Sequence, residues 1–172
     1  MTGPAAIALG SNLDPAGGLA GGSGEDGREV NLREAIDRVR RLGEVVAVSC
    51  FYDTAPEGNE DQPRFLNGAL LLKTGMQPVE LLRELLGVER EMGRTRTGIA
   101  KGPRVIDLDL LLYGRTVMVT AELVLPHPAL QERRFVLEPL AEIAPEMVHP
   151  VLRLTVAELL LRLRGGAAGV VG

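Results

Sequence analysis

The chain has 172 residues, of which 45% are hydrophobic and 24% are charged, and its formal net charge is −4. These values are ordinary for a globular protein with a buried core, and the negative charge argues against a broad basic surface for nucleic acid. The sequence does not open on a basic segment followed by an apolar run, and nowhere do about twenty apolar residues stand together, so we expect no secretory signal, no membrane span and a cytoplasmic location.

The first half of the sequence predicts a strand, a helix and two more strands. A short apolar run at 4–9 predicts the first strand, and a Gly-rich stretch at about 15–30 predicts an insertion without regular structure. Asn31 is the predicted N-cap of a helix that ends near residue 43. β-rich runs at 44–54 and 65–74 predict an antiparallel pair of strands, in which Cys50, the single cysteine, is expected to be a small buried residue.

The second half predicts helices around one more strand. We expect a helix from Pro78 to about Met92, a buried strand within 102–114, and a short β segment at 117–119. An interrupted helical region to about 143 and a helix at about 156–163 follow, and residues 165–172 are expected to fray. The order β-α-β-β-α-β followed by an α-rich part predicts an α/β (α+β) fold in which a ferredoxin-like antiparallel sheet carries helices packed against it. We expect a single domain over residues 1–172 that acts as a monomer.

Two carboxylates interrupt the apolar strand predicted within 102–114. Alternation places Asp107 and Asp109 on the same face, about 6.6 Å apart at roughly 3.3 Å per residue. Ionised carboxylates in apolar surroundings repel each other and lose hydration, and a hard divalent cation such as Mg²⁺ removes both penalties. An exposed strand end or arginine partners would also accommodate the pair.

The loop before this strand favours the metal interpretation, because its cations would stand beside the aspartates and suit a polyphosphate: Arg94, Arg96, Lys101 and Arg104. Phosphoryl-type transfer needs positioning and charge neutralisation rather than a covalent nucleophile. We therefore predict a catalytic group made of the two aspartates with Arg94, Arg96 and Arg104. The P-loop, dinucleotide-binding and Gly-x-Ser-x-Gly motifs are missing, and two histidines with one cysteine make a zinc site improbable.

Aromatic residues are scarce, with three Phe, two Tyr and no Trp. Phe65 stands beside Asn67, and Phe135 follows two arginines. Each is more often a core residue, yet a flat heteroaromatic ring between them, with Asn67 bonding to its polar edge, would use common recognition physics. Glu89 is either a solvated carboxylate or part of a phosphate site. His127, between two prolines, is either structural or a hydrogen-bond donor to phosphate.

Five motifs occur in one order along the chain. They are Ala-Leu-Gly-Ser-Asn at 8–12, Phe-Tyr-Asp-Thr-Ala-Pro at 51–56, Asp-Gln-Pro-Arg-Phe-Leu-Asn at 61–67, Gly-Pro-Arg-Val-Ile-Asp-Leu-Asp at 102–109, and Pro-His-Pro at 126–128 followed by Arg-Arg-Phe-Val-Leu-Glu-Pro-Leu at 133–140. Together they resemble the 6-hydroxymethyl-7,8-dihydropterin pyrophosphokinases, a family of folate biosynthesis. The resemblance implies a ferredoxin-like α/β fold and transfer of pyrophosphate from ATP to the hydroxymethyl group of the pterin, with release of AMP and two Mg²⁺ ions on Asp107 and Asp109.

The same resemblance assigns substrate contacts. It implies a pterin between Phe65 and Phe135, with Asn67 and the main chain around Thr54 and Ala55 bonding to its edge. The loops after Thr54 and at 94–101 are expected to be mobile lids, although Ala100 and Lys101 replace a basic residue and a Trp that some members carry there. ATP is expected to contact a basic and polar set that also includes one leucine: Glu89, Arg96, Lys101, Arg104, Leu110, His127 and Arg133.

Two other classes of protein compete with this interpretation. A ferredoxin-like binding module, for RNA for example, would show exposed aromatics and broad basic charge, which this sequence lacks. A metal-dependent phosphohydrolase using the same aspartates would release inorganic phosphate without an acceptor. We expect small-molecule substrates and neither nucleic-acid nor membrane partners.

Overall fold

The computed structural model describes residues 3–15, 25–56, 61–93 and 104–169, with side chains through 165. Within these ranges a five-stranded antiparallel sheet carries helices on both faces, as the sequence predicts. The strands of this sheet are β1 (Ala5–Ser11), β2 (Glu44–Val48), β3 (Tyr52–Thr54), β4 (Phe65–Lys73) and β5 (Asp107–Tyr113). The other elements are the helices α1 (Gly27–Val39), α2 (Pro78–Glu91), α3 (Arg134–Ile143) and α4 (Val156–Gly169), and two small hairpins, β6 (Met118–Val119) with β7 (Val124–Leu125) and β8 (Val148–His149) with β9 (Leu154–Thr155).

Strands β1 and β4 form the centre of the sheet. The strand order is β2-β4-β1-β5, with β3 paired to the other end of β4, and every neighbouring pair is antiparallel. One face packs against α1 and α2 through Ile7, Leu9 and Leu70, and the other packs against α3 and α4 through Ala6 and Ala8. Because both faces are buried, the central strands are apolar runs without polar alternation.

The position of α2 and the end of α3 agree closely with the predictions. Helix α2 begins at Pro78, where Gln77 and Glu80 form a capping box, and it buries Leu81 and Leu85 against the sheet. Helix α3 ends the interrupted helical region at Ile143, after a 3₁₀ turn at Leu130–Glu132. Amphipathic spacing and capping signals are local, so sequence alone locates such helices well.

The predicted start of α1 is wrong. The helix begins at Gly27 with Asp26 as its N-cap, whose carboxylate accepts the Arg28 N–H, so residues 27–30 belong to the helix and not to the predicted insertion. Asn31 lies within the helix, where its buried amide donates to Ser11 Oγ at 3.1 Å and to the Leu13 carbonyl at 2.9 Å. Asn31 therefore forms hydrogen bonds with residues at the end of β1 and does not cap its own helix.

The predicted strand at 44–54 is two strands. Ser49 interrupts it, because its N–H donates to the Ala69 carbonyl while its Oγ accepts the Ala69 N–H at 2.9 Å. Cys50 lies in this break and is exposed, so its predicted burial is also wrong.

Smaller differences concern the C-terminal half. The short strand predicted at 117–119 exists as Met118–Val119, and its partner Val124–Leu125 was not predicted. Helix α4 continues to Gly169, so the predicted start of the frayed tail at residue 165 is too early. None of the helices in the described ranges is long and apolar enough to cross a membrane.

Candidate active site

A cleft opens at the end of the sheet where β1 finishes and β5 begins. The strand register places Gly10 of β1 opposite Asn67 of β4 on one side and opposite Asp107 of β5 on the other. Two strands that lie far apart in sequence therefore bring an amide and a carboxylate to either side of one glycine. The cleft combines an aromatic, amide-bearing end with a charged end.

All five residues predicted for the pterin line this cleft: Thr54, Ala55, Phe65, Asn67 and Phe135. The Asn67 amide is oriented by a hydrogen bond from its Nδ2 to Thr54 Oγ1 at 2.5 Å. A Cβ on Gly10 would stand 3.1 Å from Asn67 Oδ1, which is tighter than ordinary contact. Glycine at this position thus leaves room for the amide, and Asn67 is held in one orientation while 6% exposed.

The charged end holds Asp107, Asp109, Arg104 and Arg133. Arg104 Nη1 lies 3.1 Å from Asp107 Oδ2, and these side chains are only 18% and 22% exposed, respectively. Arginine partners for the aspartates were an alternative to a metal site, and the structure shows one such partner for Asp107.

Each aromatic ring of the predicted sandwich has an arginine beside it. The Arg104 guanidinium lies 5.6 Å from the centre of the Phe65 ring, and the Arg133 guanidinium lies 5.8 Å from that of Phe135. These are cation–π distances. A flat ring bound between the two phenylalanines would therefore have a guanidinium beside each of the two Phe rings that enclose it.

Two carboxylates, Asp107 and Asp109, are found among the described residues that line the cleft. Among the residues that the structure describes, no group of three or more His, Cys, Asp or Glu side chains could hold a metal ion. Asp107 and Asp109 share the cleft face of β5, as the strand alternation predicts. Two carboxylates with water and phosphate oxygens match the way in which Mg²⁺ is commonly held beside a polyphosphate.

Glu89 is not the solvated carboxylate that one interpretation of the sequence allowed. It is 4% exposed, and its Oε2 accepts the Leu108 N–H of β5 at 2.7 Å. Leu108 stands between the two aspartates, so helix α2 holds the β5 main chain at the point from which both carboxylates project. The predicted contact of Glu89 with ATP stays a prediction.

His127 is attached to the same strand. The main-chain N–H of His127 donates to the carbonyl of Leu111, which is the extra residue of a β-bulge in β5. Its Nδ1 accepts the Ala129 N–H at 3.1 Å. Burial and the positive charge of Arg133 lower the pKa of His127, and the charge of Asp107 opposes this in part. The lowered pKa favours the neutral imidazole, and because Nδ1 accepts a hydrogen bond, the proton of the neutral ring belongs on Nε2.

Of the predicted residues not yet located, the structure describes Leu110 alone. The Leu110 side chain is 3% exposed and packs in the core beneath α1 and α2, on the opposite face of the sheet from the aspartates, so a side-chain contact with ATP is not supported. The predicted cations Arg94, Arg96 and Lys101, with Ala100, lie outside the described residues.

Asn12, which the sequence offered only as part of a motif, connects the two ends of the cleft. Its Oδ1 accepts the Arg104 N–H at 2.9 Å, and its Nδ2 donates to Gln62 Oε1 at 2.8 Å and to the Pro63 carbonyl at 3.1 Å. The lining residues without a polar side-chain group were also missed: Ala8, Leu9, Gly10, Gly68 and Val136. The Ala-Leu-Gly run at the end of β1 was the available signal.

The chain matches known proteins over most of its length. Residues 6–145 match the model of the 7,8-dihydro-6-hydroxymethylpterin-pyrophosphokinase (HPPK) family. The chain is 42% identical over 149 residues to the 2-amino-4-hydroxy-6-hydroxymethyldihydropteridine pyrophosphokinase of Bacillus subtilis, covering 86% of this chain and 81% of that protein. It is also 42% identical over 146 residues to the Pseudomonas aeruginosa protein of the same name, covering 84% and 82% of the two chains.

Other relatives are much longer. The chain is 47% identical over 119 residues to the folic acid synthesis protein fol1 of Schizosaccharomyces pombe, which covers 69% of this chain but only 16% of that protein. The Plasmodium falciparum HPPK-DHPS structure with pteroate has a TM-score of 0.72 at 16% identity, covering 94% of this chain and 44% of that one, and this likeness concerns the fold alone. Since the family model spans residues 6–145 of 172, the chain belongs to the 7,8-dihydro-6-hydroxymethylpterin-pyrophosphokinase family.

Proposed function

We propose that the protein transfers pyrophosphate from ATP to the hydroxymethyl oxygen of 6-hydroxymethyl-7,8-dihydropterin, giving AMP and the pterin diphosphate, in folate biosynthesis. The observation that carries the proposal is one cleft in which Phe65, Phe135 and Asn67 adjoin Asp107 and Asp109. The names of the Bacillus and Pseudomonas relatives support the same reaction. A ring-binding wall beside an acidic pair with arginines is what a transfer between a heteroaromatic alcohol and a nucleoside triphosphate requires.

The aromatic end would hold the pterin. Phe65 projects from the start of β4 and Phe135 from the first turn of α3, so the two rings belong to different layers of the fold. Stacking between them would orient the bicyclic ring, and the Asn67 amide, pinned by Thr54, would bond to its polar edge. With its polar edge against Asn67, the ring would direct the hydroxymethyl group on its other side toward the charged end.

The charged end would hold the triphosphate. Asp107 and Asp109 fit Mg²⁺, since both are carboxylates on one strand face that opens into the cleft, and we expect two ions. A bound divalent cation would supply charge neutralisation and alignment of the phosphates during in-line transfer. Arg104 and Arg133 would pair with phosphate oxygens, for which the guanidinium fork is suited.

His127 would act as a neutral hydrogen-bond donor to phosphate. Because Nδ1 already accepts the Ala129 N–H, the free ring N–H is at Nε2. A pKa lowered by burial favours the neutral ring at neutral pH. His127 would therefore contribute orientation without changing the net charge of the site.

We also propose the topology of the sheet, the number of domains, the cellular location and the oligomeric state. The antiparallel strand order β5-β1-β4-β2, with α1 and α2 on one face, supports a ferredoxin-like topology for the part of the chain from β1 to β5. We propose one domain that acts as a cytoplasmic monomer, and sedimentation of the purified protein tests the monomer.

Product analysis tests the reaction. Purified protein is incubated with ATP, Mg²⁺ and 6-hydroxymethyl-7,8-dihydropterin, and nucleotides are separated by chromatography. We expect AMP and the pterin diphosphate in equal amounts, dependent on the pterin and abolished by a chelator. ADP as the product would refute the proposal, and inorganic phosphate released without the pterin would identify a phosphohydrolase instead.

A further inference from the structure

Arg28, in the first turn of α1, reaches out of its helix to the two strands that form the pterin end of the cleft. Its Nη2 donates to Asp53 Oδ2 at 2.9 Å, and its Nη1 donates to the Arg64 carbonyl at 3.0 Å. Its Nε and Nη2 also donate to the two carboxylate oxygens of Asp26, at 3.0 and 2.7 Å. Four of the five N–H donors of the guanidinium are thus used, and the side chain is 19% exposed.

Each of the two strand residues that Arg28 contacts is adjacent in sequence to a predicted pterin contact. Asp53 precedes Thr54 at the end of β3, and Arg64 precedes Phe65 at the start of β4. Thr54 and Phe65 face each other across the β3–β4 ladder. A displacement of Asp53 or of the Arg64 main chain would therefore move Thr54, Phe65 or both.

Strand β3 needs such support. It has three residues and, within the described sheet, pairs with β4 alone. Its first residue is held from α3, because the Tyr52 hydroxyl donates to Glu142 Oε1 at 2.6 Å. Its central residue, Asp53, also accepts from Arg64 Nε at 2.6 Å. Arg28 supplies the contact from α1, so α3 and α1 hold two neighbouring residues of β3.

The charges in this cluster are stable at neutral pH. The hydrogen bond from Arg64, followed by that from Arg28, lowers the pKa of Asp53, and Arg28 lowers the pKa of Asp26. The Asp53 side chain is 48% exposed, so the ion pair itself adds little to the free energy of folding. Its value lies in geometry, because a planar guanidinium fixes several acceptors in one arrangement.

We propose that Arg28 is a positioning residue for the pterin subsite: it ties α1 to the ends of β3 and β4 and so sets the places of Thr54 and Phe65. The proposal rests on the proposed function. It assigns Arg28 no contact with substrate. Misplacement of a binding group by about 1 Å can cost up to about a hundredfold in activity, so loss of Arg28 is expected to be felt in pterin use.

The test compares steady-state kinetics of Arg28→Met with those of Arg38→Met. Methionine keeps the apolar stem and removes every donor. Arg38 is the matched control, since it also lies on α1, is 29% exposed, and pairs with another helix through Glu91 at 2.8 Å, away from the cleft. For Arg28→Met we expect the KM for the pterin to rise about tenfold, with the KM for ATP and kcat little changed. For Arg38→Met we expect wild-type values of all three.

A third variant, Arg28→Lys, keeps the charge but loses the fork, and its KM for the pterin should lie between those of the wild type and Arg28→Met. The inference is overturned by a wild-type KM for the pterin in Arg28→Met, or by an equal rise in Arg38→Met, which would indicate general docking of α1. If Arg28→Met does not fold, a wild-type KM in Arg28→Lys overturns it. Wild-type protein that forms no AMP refutes the proposed function instead, so the two failures are distinguishable.

Discussion

Replacement of Glu89 tests whether α2 holds the acidic strand in place. Glu89 is 4% exposed and accepts the Leu108 N–H at 2.7 Å, between Asp107 and Asp109. Glu89→Leu removes the acceptor and leaves that N–H buried without this partner, whereas Glu89→Gln keeps a neutral acceptor of the same shape. The two variants therefore separate the hydrogen bond from the charge.

The magnitude follows from the burial of the pair. A hydrogen bond to a charged group contributes about 1.5–3 kcal/mol, and part of this is offset because a buried carboxylate is itself costly to desolvate. We expect Glu89→Leu to lower the free energy of unfolding by about 1–3 kcal/mol and Tm by about 2–12 °C for a domain of this size. Glu89→Gln should lose about 1 kcal/mol, since neutral hydrogen bonds are roughly half as strong.

The activity should fall further than stability alone explains. Because Leu108 lies between the aspartates, a looser β5 moves both carboxylates, and we expect kcat of Glu89→Leu to fall by about tenfold or more. Scanning calorimetry gives Tm, and AMP release at 25 °C, well below Tm, gives kcat. In Glu89→Gln, a small change in Tm with a raised KM for ATP would support the predicted nucleotide contact.

The control is Glu84→Leu, on the same helix at an exposed position, which should change the free energy of unfolding by less than about 0.5 kcal/mol. Wild-type Tm and kcat in Glu89→Leu would refute the reasoning, because they would show that the bond to Leu108 holds nothing in place. A loss of the same size in Glu84→Leu would show that any leucine on this helix is harmful.

Three further predictions concern the cleft and one distant histidine. Asp107→Asn and Asp109→Asn should each abolish AMP formation while the protein stays folded, and near-wild-type turnover in either variant would remove that residue from the metal site. Phe135→Ala should weaken pterin binding by about 1–3 kcal/mol through lost stacking and burial, and unchanged affinity in calorimetry would exclude it. His149 accepts the N–H groups of Val151 and Leu152 at Nδ1, and burial lowers its pKa from 6.5. Its stabilising effect is thus complete above about pH 6.5 and is lost as the pH falls through the lower folded pKa, so the Tm advantage over a non-titrating His149→Asn variant should shrink between about pH 8 and pH 5; a constant difference would contradict this.

The helices and the central strands could be predicted because their signals are local. Helix α2 has its proline, its capping residues and its apolar spacing within one stretch of sequence. The start of α1 could not be located in the same way, because both Asp26 and Asn31 are good N-cap residues. The structure shows which of the two caps the helix, because Asp26 accepts the Arg28 N–H while Asn31 donates to Ser11 of β1.

Some residues of the candidate site could likewise be predicted from the sequence, and others could not. The aspartates stood out because an apolar strand should carry no charge, and the paired aromatics stood out because so few are present. The burial of Glu89 gave no such signal, since a glutamate on an amphipathic helix is ordinarily solvated. The Asn12 amide bonds to main-chain groups of Arg104 and Pro63, and this pairing between distant segments is not revealed by a pattern of residue types.

Sequence by itself therefore identified the side chains of the candidate site: two carboxylates two residues apart on an apolar strand, arginines beside them, and a pair of phenylalanines with an asparagine. The tertiary structure alone decided which of these residues meet. Antiparallel pairing of β1 with both β4 and β5 aligns Asn67, Gly10 and Asp107 in one row, and α1 and α2 hold the strand ends on either side. The physical reason is that register and burial depend on contacts between distant segments, which no local pattern specifies.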